Sequence, residues 1–162
     1  MNGKQKKTEK RDLKEQTFSR SSISEEGKLI EQFPLKILVA EDNKINRKLV
    51  TSLLTKMGFR VDSVINGQEA LEIVKKMDFD IVLMDIQMPE MSGIEATIKI
   101  REEVPAERQP LIIALTANVL AEDRETCIRS GMVDYMPKPV NFTLLQDMLI
   151  KWGNYLSTKK MQ

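Results

Sequence analysis

The sequence predicts an α/β fold, a doubly wound five-stranded parallel sheet, and three observations predict it. From Lys36 onward, short apolar runs alternate with amphipathic stretches, the pattern of βα units around a parallel sheet, and five such units can be counted. Gly58 and Gly131 follow two of the helical stretches, where a left-handed cap is wanted. Strands one, three and four are almost wholly apolar, as helices covering both sheet faces require, while Asp62 and Ser63 mark a more exposed second strand.

Taken in order, residues 1–34 read as a tail or linker. They are rich in Lys, Glu, Gln and Ser, and Phe18, Ile23, Leu29 and Ile30 are scattered too thinly to build a core. A short helix is one reading here, since Ser24, Glu25 and Glu26 suit the cap and first turn of a stretch leading to Leu29, Ile30 and Phe33; a solvated flexible segment is the other. Residues 35–157 form the domain, with strands expected at 37–40, 61–65, 81–84, 111–115 and 134–136. Helices are expected at 45–57, 68–77, 93–102, 121–130 and 141–156, and 158–162 is a short C-terminal tail. Phe142, Leu144, Leu145, Met148, Leu149 and Trp152 recur at helical spacing and should pack the last helix on the sheet.

Composition narrows the function. In 162 residues, 41% hydrophobic and 30% charged residues describe one soluble globular domain with a buried core. The longest apolar stretches, 81–84 and 111–115, are too short to cross a bilayer and the N-terminus is charged, so neither membrane contact nor a signal peptide is expected. A single cysteine, Cys127, reads as a small apolar helix residue and fits a reducing compartment, the cytoplasm. The absence of histidine excludes Cys/His metal frameworks, Ser-His-Asp triads and imidazole acid–base chemistry. The net charge is +1, with 8 Lys+Arg against 6 Asp+Glu in the first 34 residues and 17 against 18 in the remainder. With only 5% aromatic residues and no basic patch, no nucleic-acid partner is expected.

Ligands of doubly wound sheets bind at the carboxyl ends of the strands. Here strand one runs into Glu41-Asp42, strand three into Asp85 and strand four into Thr116, and the fifth βα connection contains Lys138. Clustered carboxylates in a partly dehydrated cleft repel one another unless a cation compensates, so a metal is implied. All-oxygen ligation favours a hard ion, Mg²⁺ with Mn²⁺ as a substitute. In such a setting Asp85 would attack a phosphorus atom, the metal would take one phosphoryl oxygen, and Lys138 and the Thr116 hydroxyl would bind the others. Singly, each residue has a plainer reading: Asp42 and Asn43 as helix caps, Asp85 as a turn former, Thr116 as a strand residue, Lys138 as a solvated loop lysine. Together they place complementary charges on one sheet edge.

Val-Ala-Glu-Asp-Asn at 39–43, Val-Leu-Met-Asp-Ile-Gln-Met-Pro at 82–89, Leu-Thr-Ala at 115–117 and Pro-Lys-Pro at 137–139, in this order, closely resemble the receiver domain of bacterial two-component response regulators. The resemblance covers about 35–156, and Asn43 and Asn46 after the acid pair make it most similar to receivers of hybrid sensor histidine kinases. It implies a flavodoxin-like (βα)5 fold with strand order 2-1-3-4-5 and phosphorylation of Asp85 by a phosphohistidine on a histidine kinase or histidine phosphotransfer protein. It further implies Mg²⁺ held by Glu41, Asp42, Asp85 and the Gln87 main-chain carbonyl, phosphoryl contacts from Thr116 and Lys138, and a cis peptide before Pro139. It implies a switch in which Thr116 moves and Tyr135 turns inward, changing the preference of the 121–130, 134–136 and 141–156 surface for a downstream protein target. A half-buried Tyr135 without a signalling role remains open. Gln87 and Asn118 resemble positions that tune acyl-phosphate hydrolysis.

On this reading the chain is a phosphoacceptor signalling module with only self-catalysed phosphotransfer and autodephosphorylation, and its output runs through protein contacts, since the chain leaves no space for an output domain. Two rivals stand beside it. An aspartyl-phosphate phosphatase would want a second acid where Gln87 stands, and a non-phosphorylated interaction module of the same fold would be expected to lose an acid or Lys138. Neither glycine-rich nucleotide fingerprint is present.

Overall fold

The computed structural model describes residues 28–117 and 120–161. The chain runs through α1 (Lys28–Gln32), β1 (Ile37–Ala40), α2 (Lys44–Lys56), β2 (Val61–Val64), α3 (Gly67–Lys76) and β3 (Ile81–Asp85). It continues through α4 (Gly93–Glu103), a 3-10 turn (Ala106–Arg108), β4 (Leu111–Thr116), α5 (Ala121–Ser130), β5 (Asp134–Pro137) and α6 (Phe142–Lys160). The five strands form one parallel sheet in the order β2-β1-β3-β4-β5, as the resemblance implies.

Local chemistry sets the helix starts. The Asn43 side chain accepts from the amides of Ile45 and Asn46 at the head of α2, and the Asn66 side chain accepts from Glu69 N at the head of α3. Glu69 reaches back to accept from Ile65 N, closing a reciprocal cap. Ser92 and Asn141 do the same for α4 and α6 through Glu95 N and Leu144 N. Gly58 (φ 92°) and Gly131 (φ 110°) both sit in the left-handed region at helix ends, which only glycine adopts without strain.

Successive strand residues face opposite sides, so the sheet builds two cores. Ile37, Val39, Ile81, Leu83, Ile113, Leu115 and Met136 pack under α2 and α6, against Val50, Leu54, Leu145 and Leu149. Leu38, Ala40, Val82, Met84, Ile112 and Ala114 pack under α3, α4 and α5, against Ala70, Leu71, Val74, Ala96, Ile100 and Cys127. Each fully buried Leu or Ile contributes about 1.5–3 kcal/mol. Every residue of β1 and β3 is buried, whereas Asp62 and Ser63 of the edge strand β2 are exposed.

Expected element boundaries differ from the observed ones by a residue or so, with two larger departures. The last helix runs on to Lys160 rather than ending at 156. Within the expected tail, the short-helix reading holds over α1 (Lys28–Gln32), its expected cap at Ser24, Glu25 and Glu26 lying outside the described residues; the departure is that Leu29 and Phe33 are buried in the first core. Burial, with the nearby charge of Asp123, pushes the Cys127 thiol above its ordinary value, so it stays a protonated packing group.

Candidate functional site

Strand order and register bring the sequence-predicted residues to one rim. β1 pairs with β3 through Ala40 and Met84, so the residues that follow, Glu41 and Asp85, leave the sheet side by side. On the other flank β4 pairs with β5 through Thr116 and Pro137, and the Lys138 amide donates to the Thr116 carbonyl at 2.8 Å. The Lys138–Pro139 peptide is cis, as the resemblance implies. The Lys138 ammonium reaches across to lie 3.0 Å from Asp85 Oδ1 and 3.1 Å from Glu41 Oε2.

Glu41, Asp85 and Thr116 are buried, Asp42 and Gln87 are exposed, and Lys138 lies between the two groups. They line an open cleft of about 580 Å³ together with Asn43, Asn46, Ile86, Leu115, Ala117 and Asp123. Carboxylate oxygens of Glu41, Asp42 and Asp85 all lie within 4.8 Å of one another. Tyr135, half-buried on β5, carries the Arg124 guanidinium 4.5 Å over its ring. Asn118 lies outside the described residues.

Backbone packing holds the acids in place. A Cβ on Gly93 would collide with the main-chain oxygen of Asp85, so only glycine lets the start of α4 close against the end of β3. Gly93 N donates to Ile86 O at 2.9 Å, and Gln87 N donates to Asp85 Oδ1 at 3.3 Å. The Asn43 amide donates to Glu41 Oε1 at 3.1 Å. Two participants lay beyond the sequence reading. Arg47 Nη1 donates to the main-chain oxygens of Glu41 at 3.0 Å and Asp42 at 3.2 Å, pinning the acidic loop to the first turn of α2. Asp123 adds a fourth acid to the cleft wall. Spacing along the helix places both residues near the rim, but neither has a motif that would single it out.

The electrostatics of the cluster are unbalanced. Burial and the charge of Asp85 push the Glu41 carboxyl up to about 7, against the opposing pull of Lys138 and the Asn43 amide. Burial draws the Lys138 ammonium down, but its hydrogen bonds and charge interactions with Asp85 and Glu41 outweigh that and hold it above its ordinary value. Glu41 Oε2 is buried, and the Lys138 ammonium 3.1 Å away is its one contact among the described residues. An oxygen left in this condition, beside two further carboxylates, fits a hard divalent cation, which needs oxygen ligands and no directed proton.

Comparison with known proteins places this rim. The chain is 44% identical over 118 residues to hybrid signal transduction histidine kinase H of Dictyostelium discoideum, covering 70% of this chain and 8% of that protein. It is 35% identical over 139 residues to the signal transduction histidine-protein kinase BarA of Escherichia coli, covering 85% and 15%. The chain thus spans less than a sixth of either relative, and since one is eukaryotic and one bacterial, the expected bacterial origin does not follow.

Among solved structures, it resembles the receiver domain of a sensor histidine kinase from Pseudomonas aeruginosa with a magnesium ion coordinated in the active-site cleft. The TM-score is 0.68 at 38% identity, over 74% of this chain and 98% of that one. It likewise resembles the receiver domain of the response regulator Ssk1, co-crystallised with the Saccharomyces cerevisiae histidine phosphotransfer protein Ypd1. There the TM-score is 0.68 at 34% identity, over 74% and 88%. A family model described as the response regulator receiver domain matches residues 37–150, from the first residue of β1 into α6, and so spans all the strands that build the rim; the chain belongs to that family of phosphoacceptor signalling domains.

Proposed function

We propose that this chain is the phospho-accepting switch of a phosphorelay, in which Asp85 takes a phosphoryl group from a phosphohistidine on a histidine kinase or histidine phosphotransfer protein. The observation that carries the reading is the Lys138 ammonium set within 3.1 Å of both Glu41 and Asp85, one cation shared by a cluster of three carboxylates. Glu41, Asp42, Asp85 and the Gln87 main-chain carbonyl would hold Mg²⁺, for which Mn²⁺ would substitute. When bound, the ion supplies positive charge to the phosphoryl oxygens.

The protein's own groups do the rest. Asp85 Oδ1 is engaged by Lys138 and Gln87 N, so attack falls to Oδ2: a P–O bond forms, the P–N bond of the donor breaks, and the imidazole, protonated beforehand on its other ring nitrogen, leaves neutral. Lys138 then follows the charge onto a phosphoryl oxygen, and the Thr116 hydroxyl binds another. A protein donor is supported by Ile45, 79% exposed, and Leu49, one turn later on α2, which present apolar surface beside the cleft. Once the acyl phosphate has formed, Thr116 and Tyr135 are the switch, and Tyr135 must leave the Arg124 guanidinium to turn inward. Output runs through the α5, β5 and α6 surface to a downstream protein, and self-catalysed hydrolysis at Asp85 resets it. A buried, unpaired Cys127 and the lack, among the described residues, of any helix long and apolar enough to cross a membrane suit a cytoplasmic setting.

Intact mass after incubation with Mg²⁺ and a small phosphoramidate tests the assignment. One phosphoryl adduct on the parent and none on Asp85→Asn is expected. Equal labelling of both would overturn the assignment, and turnover of an added phosphate ester lost in Asp85→Asn would favour the phosphatase.

A further inference from the structure

Gly153 sits in the middle of α6, a 19-residue helix, where glycine is about the least favourable residue other than proline. Its reason lies across the chain. A Cβ built on Gly153 would stand 2.7 Å from Cγ and 2.8 Å from Cδ1 of Phe33, so the ring occupies the notch that the missing side chain leaves. Phe33 is buried, as are Leu29 and Leu35 beside it, and all three join the core formed by α2, α6 and one face of the sheet. The segment is also hydrogen-bonded as a unit: Phe33 N donates to Leu29 O at 2.9 Å and Leu35 N to Phe33 O at 2.8 Å. Phe33 and Gly153 lie on either side of the residues 37–150 that the family model matches, so the contact joins the two flanks of the domain.

We propose that Leu29–Leu35 is a docking clasp, an intramolecular interaction surface whose seat is the Gly153 notch of α6, and that the segment before β1 is therefore joined to the domain rigidly, over α6, rather than as a free tether. The helix it grips is anchored a second time by the neighbouring residue: Trp152 Nε1 donates to Asp134 Oδ2 at 2.9 Å, at the start of β5. Sliding or rotating α6 on the sheet requires Phe33 to leave its notch. The clasp thus ties whatever enters at residue 29 to a helix of the proposed output face, and its existence does not depend on phosphorylation of Asp85.

The test is a sign reversal. In an open helix position Gly→Ala raises the melting temperature by about 2–5 °C for a domain of this size. In the parent, Gly153→Ala is expected to lower it and to speed hydrogen exchange across 29–35, because the new methyl displaces the Phe33 ring. In a Phe33→Ala background, or in the milder Phe33→Leu should the first fold poorly, the same substitution is expected to raise the melting temperature. A rise of equal size in both backgrounds, or unchanged exchange across 29–35 in Gly153→Ala, would overturn the clasp.

Discussion

Two carboxylates, one half-buried and one buried, each about 3 Å from a lysine, end up on opposite sides of their ordinary acidity. Asp134 opens β5 and is saturated with donors: Lys151 Nζ at 2.8 Å and Trp152 Nε1 at 2.9 Å on Oδ2, and Tyr135 N at 2.9 Å on Oδ1. Burial alone would raise its pKa, but these hydrogen bonds and the Lys151 charge outweigh that and hold it below the usual value. Glu41, leaving β1 at the other end of the sheet, has a lysine at 3.1 Å and one backbone amide, yet burial and Asp85 drive its carboxyl up to about 7. A carboxylate that serves the fold is satisfied by the fold. Glu41 keeps negative charge that its neighbours do not fully compensate, a condition that a bound cation would relieve.

The largest break in this comparison should come at Lys138. Lys138→Met leaves Glu41 and Asp85 facing each other without a compensating charge and is expected to cost about 3 kcal/mol in urea denaturation near neutral pH. Excess MgCl₂ should return part of that stability, and a loss that Mg²⁺ leaves untouched would mean that the acids do not share a cation.

Asp134→Asn is expected to cost about 1–2 kcal/mol at neutral pH, since the amide keeps one acceptor but loses the charge that Lys151 pairs with. The sign of its pH dependence follows from a folded pKa below the unfolded one. The contribution of Asp134 is complete above its unfolded value of about 3.9 and is lost as pH falls through the lowered folded value. Parent and Asp134→Asn stabilities should therefore converge in acid, and a constant gap down to that range would contradict the account.

The smallest expected effect is at Arg47, and its sign is what matters. If Arg47 positions the loop by holding the Glu41 and Asp42 carbonyls, Arg47→Ala should weaken Mg²⁺ binding by about three- to tenfold, roughly 0.7–1.4 kcal/mol. If it acted only as a cation near a cation site, its removal would tighten binding. Titration calorimetry distinguishes the two.

Much of this was legible in the residues. Apolar runs alternating with amphipathic ones, with Gly58 and Gly131 after two of the helices, placed five strands and their helices, and strand ends gathered Glu41, Asp42, Asp85, Thr116 and Lys138 at one edge, because in a parallel sheet all carboxyl ends share a side. What stayed hidden needed partners distant in sequence or lacking a side-chain signature. Leu29 and Phe33 look sparse in a polar segment until Gly153 supplies a notch for the Phe33 ring. Arg47 binds backbone oxygens, which carry no residue identity. That Glu41 is buried while its neighbour Asp42 is exposed depends on where the strand ends and the loop turns, which two adjacent acids do not reveal.

The central claim is that a divalent ion completes the carboxylate cluster. Crystals soaked in MnCl₂ test it most directly through the anomalous scattering of the metal. The account predicts one strong peak among the carboxylates of Glu41, Asp42 and Asp85 and the main-chain oxygen of Gln87, with Lys138 still beside Asp85. A map with no peak there at saturating Mn²⁺, or with the metal bound only elsewhere, would contradict it.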